Sequence, residues 1–79
     1  MIKEFLKEHP FLRLEIVYID GFWENGWQIR LYDDRTRIML FSHKILATAI
    51  ENLNVDFETA IMTPIINWYE QQMEVKRND

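Results

Sequence analysis

Two histidines, His9 and His43, and one adjacent carboxylate pair, Asp33-Asp34, are the residues of this chain whose types suit acid–base or metal chemistry. A metal site would need the histidines to converge with Asp or Glu. They stand 34 positions apart and fall in different helical contexts. His9 ends an apolar helical stripe, and His43 is expected in the first turn of a second helix. Ser42-His43 reads as a helix cap, not as a nucleophile with its base. Asp33-Asp34 occupies a tight turn, where neighbouring carboxylates are solvated. Gly21 and Gly26 belong to one hairpin, so they form no phosphate-binding loop. A domain this small has little room for a cleft of several hundred Å³. The expectation is a protein with no catalytic residues, no cofactor and no metal.

What remains is recognition. Asp20-Gly21-Phe22-Trp23-Glu24-Asn25-Gly26 is a turn bracketed by two dipeptides that favour positive φ, yet it carries two large aromatics at its centre. Interface energy concentrates in aromatics that can fill a pocket. Alternation continued from Tyr18 sends Phe22 toward the helix-facing side and leaves Trp23 exposed. The expected partner-binding residues are Asp20, Phe22, Trp23 and Glu24 at this turn, with Asp33 and Asp34 at the next.

These turns are positioned by three alternating apolar segments, which predict an antiparallel meander over residues 11–41. The first strand spans about 12–19, with Leu12, Leu14, Ile16 and Tyr18 on one side and Arg13, Glu15, Val17 and Ile19 on the other. The second runs over about 27–33, with Trp27, Ile29 and Leu31 opposing Gln28, Arg30 and Tyr32. The third covers about 37–41, with Ile38 and Leu40 opposing Arg37, Met39 and Phe41. A short amphipathic helix over 2–9 precedes the meander and is stopped by Pro10.

Two helices follow. Ser42 is expected to cap the first, over about 43–53. Asp56 is expected to cap the second, over about 57–74, which continues through Pro64 with a kink. The fold class is therefore α+β, a single αβββαα domain over 1–79, with the two C-terminal helices packed on one sheet face. Val17, Ile19, Tyr32, Met39 and Phe41 are then left for the first helix to cover, or for a homodimer.

The chain has 79 residues, no cysteine and a net charge of −4. Without thiols it suits a reducing cytoplasm, and no apolar run approaches the roughly 20 residues needed to span a bilayer. The opening IKEFLKEH carries charges through its apolar stripe, unlike a signal peptide. Negative charge disfavours direct nucleic-acid binding and suits a basic protein partner. Against that, Arg13, Arg30 and Arg37 share an expected sheet face with Tyr32 and Phe41, an arrangement that single-strand binders use.

The C-terminal words AIMTPIINWYEQQ and the element order resemble small proteins of phages and prophages of Gram-positive bacteria. One is a staphylococcal phage family that ends in a similar amphipathic helix. Another is the small acidic type II anti-CRISPR class, which includes an αβββαα protein that blocks the DNA-binding cleft of a CRISPR effector with acidic residues. The resemblance implies a non-catalytic inhibitor or modulator of a host protein, encoded by a phage or mobile element. The alternative is a homodimeric structural module.

Overall fold

The computed structural model describes residues 1–22 and 24–78, with side chains described up to residue 74. The order is α1 (Ile2–Glu8), β1 (Leu12–Asp20), β2 (Asn25–Asp33), β3 (Ile38–Leu46), α2 (Ala47–Leu53) and α3 (Phe57–Asn78). The strands form one open antiparallel sheet in the order β1-β2-β3. The α+β class, the meander and the two closing helices are as the sequence predicts.

Period-two alternation decides which side chains are buried. Leu14 opposes Leu31, Ile16 opposes Ile29, and Tyr18 opposes Trp27. Ile29, Leu31 and Ile45 join Ile61, Met62 and Ile65 of α3 in the buried cluster. Ile2 and Phe5 of α1, and Ala49 and Ile50 of α2, pack against the same cluster. The first helix therefore does not cover the opposite face. That face is mixed: Arg30 reaches Glu15 at 3.1 Å, Arg13 lies over the Tyr32 ring at 4.7 Å and Gln28 donates to Ser42 at 2.6 Å, while Val17 and Met39 on the same side are exposed.

The third strand departs from expectation. It does not end at Phe41 but runs on to Leu46, so Ser42 caps no helix and His43 lies in a strand. α2 begins at Ala47, with Leu46 at its N-cap position and no side-chain cap hydrogen bond. The physical reason is β2, whose nine residues offer ladder bonds as far as Gly26, which pairs with Leu46. Each added pair satisfies backbone groups and carries Ile45 into the core, which outweighs a serine cap typically worth about 1 kcal/mol.

The faces of this strand also differ. A register shift between Leu31 and Tyr32 pairs Leu31 with Phe41 but Tyr32 with Met39. Leu40 is the extra residue of a bulge. Phe41 consequently shares the face of Leu31 instead of that of Tyr32, and stacks on Trp68 at 5.5 Å between ring centroids.

Asp56 caps α3 as expected. Its carboxylate accepts the Thr59 amide at 3.0 Å and the Thr59 hydroxyl at 2.6 Å. α3 is one helix through Pro64. Thr63 donates its hydroxyl to the Thr59 carbonyl at 2.7 Å in the turn before it.

Candidate functional site

The first hairpin tip is braced from both sides. The Gly21 amide donates to the Glu24 carbonyl at 2.9 Å. A Cβ on Gly21 would stand 2.6 Å from that same oxygen, so only glycine closes this turn without displacement. With its amide oriented as its neighbours require, Asn25 donates to Asp20 at 2.8 Å and to the Gly21 carbonyl at 3.2 Å. Asp20 is thus part of the brace. Phe22 lies beyond it and is 91% exposed. Phe22 is not packed into the core there; it lines an open groove together with Leu46, Ala47 and Glu51 at the start of α2. Trp23 lies outside the described residues.

Contrary to the expectation that so small a domain has little room for a cleft of several hundred Å³, an open groove of about 750 Å³ lies between this tip and the start of α2. Tyr18, Phe22, Leu46 and Ala47 supply apolar wall, and Asp20, Glu24 and Glu51 supply carboxylates. Glu24 is held by Lys44 at 3.2 Å. Below the groove, Trp27 meets Tyr18 and Phe57 edge to face, with ring centroids 4.9 and 4.8 Å away. The junction of the last two helices thus approaches the first hairpin. Leu46 and Ala47 escaped sequence reasoning because the start of α2 was expected near residue 43; the alternation of Phe41, His43 and Ile45 was the signal for the longer strand.

Asp33 and Asp34 do not join this site. Asp20 pairs with Asn25 at one end of the β1–β2 ladder, and Leu12 with Asp33 at the other. Eight strand steps separate those pairs, roughly 26 Å. Asp33 is spent on its own turn, accepting the Arg35 amide at 2.9 Å and its guanidinium at 3.2 Å. Those contacts hold the Asp33 carboxyl below the usual carboxylate range, the guanidinium being the main cause. Asp34 lies 3.6 Å from the Arg13 guanidinium. Both are accounted for by the turn and the strand beside it.

The helix junction is likewise self-satisfied. Glu58 accepts the Ile2 amide at 2.7 Å and pairs with the Met1 ammonium at 2.8 Å, which ties the start of α1 to the start of α3. The ammonium lowers the Glu58 pKa, and the Thr59 hydroxyl and amide lower that of Asp56.

His9 packs between Phe5 and Tyr69, at 4.5 and 4.7 Å, and its Nδ1 lies 2.8 Å from the Phe5 carbonyl oxygen. His43 stacks on Phe41 at 6.0 Å. Among the described residues, no group of three or more His, Cys, Asp or Glu is placed to hold a metal ion, and no helix is long and apolar enough to cross a membrane. The basic-aromatic sheet face is not assembled as expected. Arg13 and Arg30 both bond Glu15, Arg37 lies in the turn before β3, and Phe41 is on the other side.

No protein-family model matches the sequence, and comparisons with curated proteins and with solved structures gave no match either.

Proposed function

We propose that this domain is a non-catalytic binding module that recognises a protein partner through its first hairpin tip. The observation that carries the reading is Phe22, 91% exposed on a turn braced by Gly21–Glu24 and Asn25–Asp20 contacts. A large aromatic exposed on a turn closed by hydrogen bonds at its base is the kind of side chain that anchors interfaces. Asp20, Glu24 and Glu51 form a polar rim, so the partner is a surface with an apolar pocket bordered by basic groups. Trp23, its neighbour in sequence, is the companion anchor. In the fuller form of this reading the module is a phage-encoded or mobile-element inhibitor of a host protein such as a CRISPR effector, which rests on the resemblance in element order and C-terminal helix.

Affinity capture from a Gram-positive lysate tests the reading, comparing the native chain with Phe22→Ala and Trp23→Ala. Phe22→Ala should abolish capture while changing stability by under about 0.5 kcal/mol, as for ordinary surface positions. Trp23→Ala should also abolish capture; a loss of roughly 3–5 kcal/mol of stability in that variant would instead assign Trp23 to the core, the alternative reading of its sequence position. Capture that survives both substitutions would reject the tip as the recognition element.

A further inference from the structure

The base of the first hairpin tip holds two neighbouring residues that the fold fixes for separate reasons. Gly26 is buried, and an added Cβ would lie 2.5 Å from the Ile45 carbonyl oxygen, so β3 admits only glycine there without displacement. Asn25 is exposed and bridges to the opposite strand, its amide donating to Asp20 at 2.8 Å and to the Gly21 carbonyl at 3.2 Å. Packing requires the glycine, and the brace requires the asparagine. Together they make Asn-Gly, and no other asparagine of the chain precedes a glycine. With no side chain on the following residue, its backbone nitrogen reaches the asparagine Cγ with the least hindrance.

We propose that Asn25 is a deamidation site whose conversion to an acid unlocks the tip. The Gly26 backbone nitrogen gives up its proton to solvent and attacks Cγ of Asn25. The new N–C bond closes a succinimide ring, the bond from Cγ to Nδ2 breaks, and Nδ2 leaves as ammonia after taking a proton from solvent. Water then opens the ring at either carbonyl, leaving aspartate or isoaspartate at position 25. The ladder gates the attack. Gly21 donates to the Glu24 carbonyl, so by antiparallel alternation Asp20–Asn25 is a non-hydrogen-bonded pair and Ile19–Gly26 a hydrogen-bonded one. The Gly26 amide is therefore engaged until the hairpin end opens, which strand ends do more readily than ladder centres.

The consequence follows from what faces position 25. A non-hydrogen-bonded pair brings opposed side chains closest, and the residue opposite is Asp20. A carboxylate in place of the amide has no proton to donate, so both contacts of the brace are lost and like charges stand opposed. Glu24 and Glu51 border the same groove, and Lys44 is already held by Glu24. Isoaspartate also routes the main chain through an extra carbon, which breaks the terminal pair. The chemistry and the unlocking belong to the domain itself; only the resulting loss of partner capture rests on the tip reading.

Incubation of the full native chain in mildly alkaline buffer, followed by peptide mass mapping, reads the first step. Conversion at Asn25 should outrun conversion at Asn52, Asn54 and Asn67. Methyl transfer by an isoaspartyl methyltransferase, used as the probe, should label the same peptide. Urea should speed the conversion, because the ladder then no longer holds the Gly26 amide. Asn25→Asp presents the product directly and reads the second step: the Gly21 amide, which donates to Glu24, should lose its protection from hydrogen exchange. Adding Asp20→Asn to that variant again sets one amide opposite one carboxylate, and protection should return. If Asn25→Asp unfolds altogether, the double variant decides, since it regains the fold only where opposed charge at this pair is the cause. Equal conversion at all these asparagines in the folded chain removes the site. Native Gly21 protection in Asn25→Asp, or a double variant no better than the single one, overturns the unlocking. Neither readout involves a partner, so capture that survives Phe22→Ala and Trp23→Ala rejects the tip reading and leaves this inference to its own tests.

Discussion

Phe41 and Trp68 stack with ring centroids 5.5 Å apart and planes 22° from parallel, and the bulge at Leu40 is what allows them to meet. Without that extra residue, Phe41 would point to the polar face of the sheet. Phe41→Ala should cost about 3 kcal/mol, near the low end for phenylalanine truncation because the ring is only partly buried. Chemical denaturation with linear extrapolation measures it. Deleting Leu40 should be at least as damaging, since it reverses the facing of one arm of β3. A deletion variant as stable as the native chain would show that the bulge does not set the register.

Gly26 is buried where β3 hands over to α2. A Cβ there would lie 2.5 Å from the Ile45 carbonyl oxygen and 3.1 Å from the Leu46 Cα. Both are backbone atoms, so the strand or the start of α2 must shift to admit it. Gly26→Ala should destabilise by roughly 1–3 kcal/mol, the usual range for overpacking. Gly26→Val should be worse. Thermal unfolding of the two variants against the native chain provides the check.

Arg37 holds φ at 63°, in the left-handed region that costs a side-chain-bearing residue roughly 1 kcal/mol. Its amide donates to the Asp33 carbonyl at 2.6 Å and closes the second turn. Arg37→Gly should therefore raise stability by up to about 1 kcal/mol, partly offset by the greater freedom glycine gives the unfolded chain. A rise in the denaturation midpoint with an unchanged slope is the expected result; a fall would locate an unseen role for the guanidinium.

Acid should weaken the domain through Asp56 and Asp33. Both carboxyls have folded-state pKa values below their ordinary ones, Asp56 through Thr59 and Asp33 through Arg35. The unfolded chain then binds protons more readily, so their contribution is fully present above the ordinary aspartate pKa of about 3.9 and is lost as pH falls through the lowered values. Asp56→Asn keeps a capping oxygen without the titrating group. It should unfold near the native temperature at pH 6 and lose less than the native chain between pH 5 and 3. Asp56→Ala should melt lower at both. Equal acid sensitivity in native and Asp56→Asn chains would remove Asp56 from the account.

The sequence by itself determined the element order, the meander and its facing in β1 and β2, because period-two alternation and turn dipeptides are local signals. It also determined the Asp56 cap and the passage of α3 through Pro64, where amphipathic spacing on both sides outweighs one lost hydrogen bond. Tertiary structure decided the rest. FSHKIL suits a capped helix start as well as a strand, and only the unfilled ladder of β2 selects the strand. A bulge leaves no mark in a run such as IMLF, so the facing of Phe41 was settled by Trp68 across the core. The two turns each looked like recognition loops, since acidic residues read alike whether they meet a partner or an arginine two positions on. The fold separated them to opposite ends of the sheet, tied Asp33 and Asp34 to Arg35 and Arg13, and left Phe22 on the braced tip beside the groove at the start of α2.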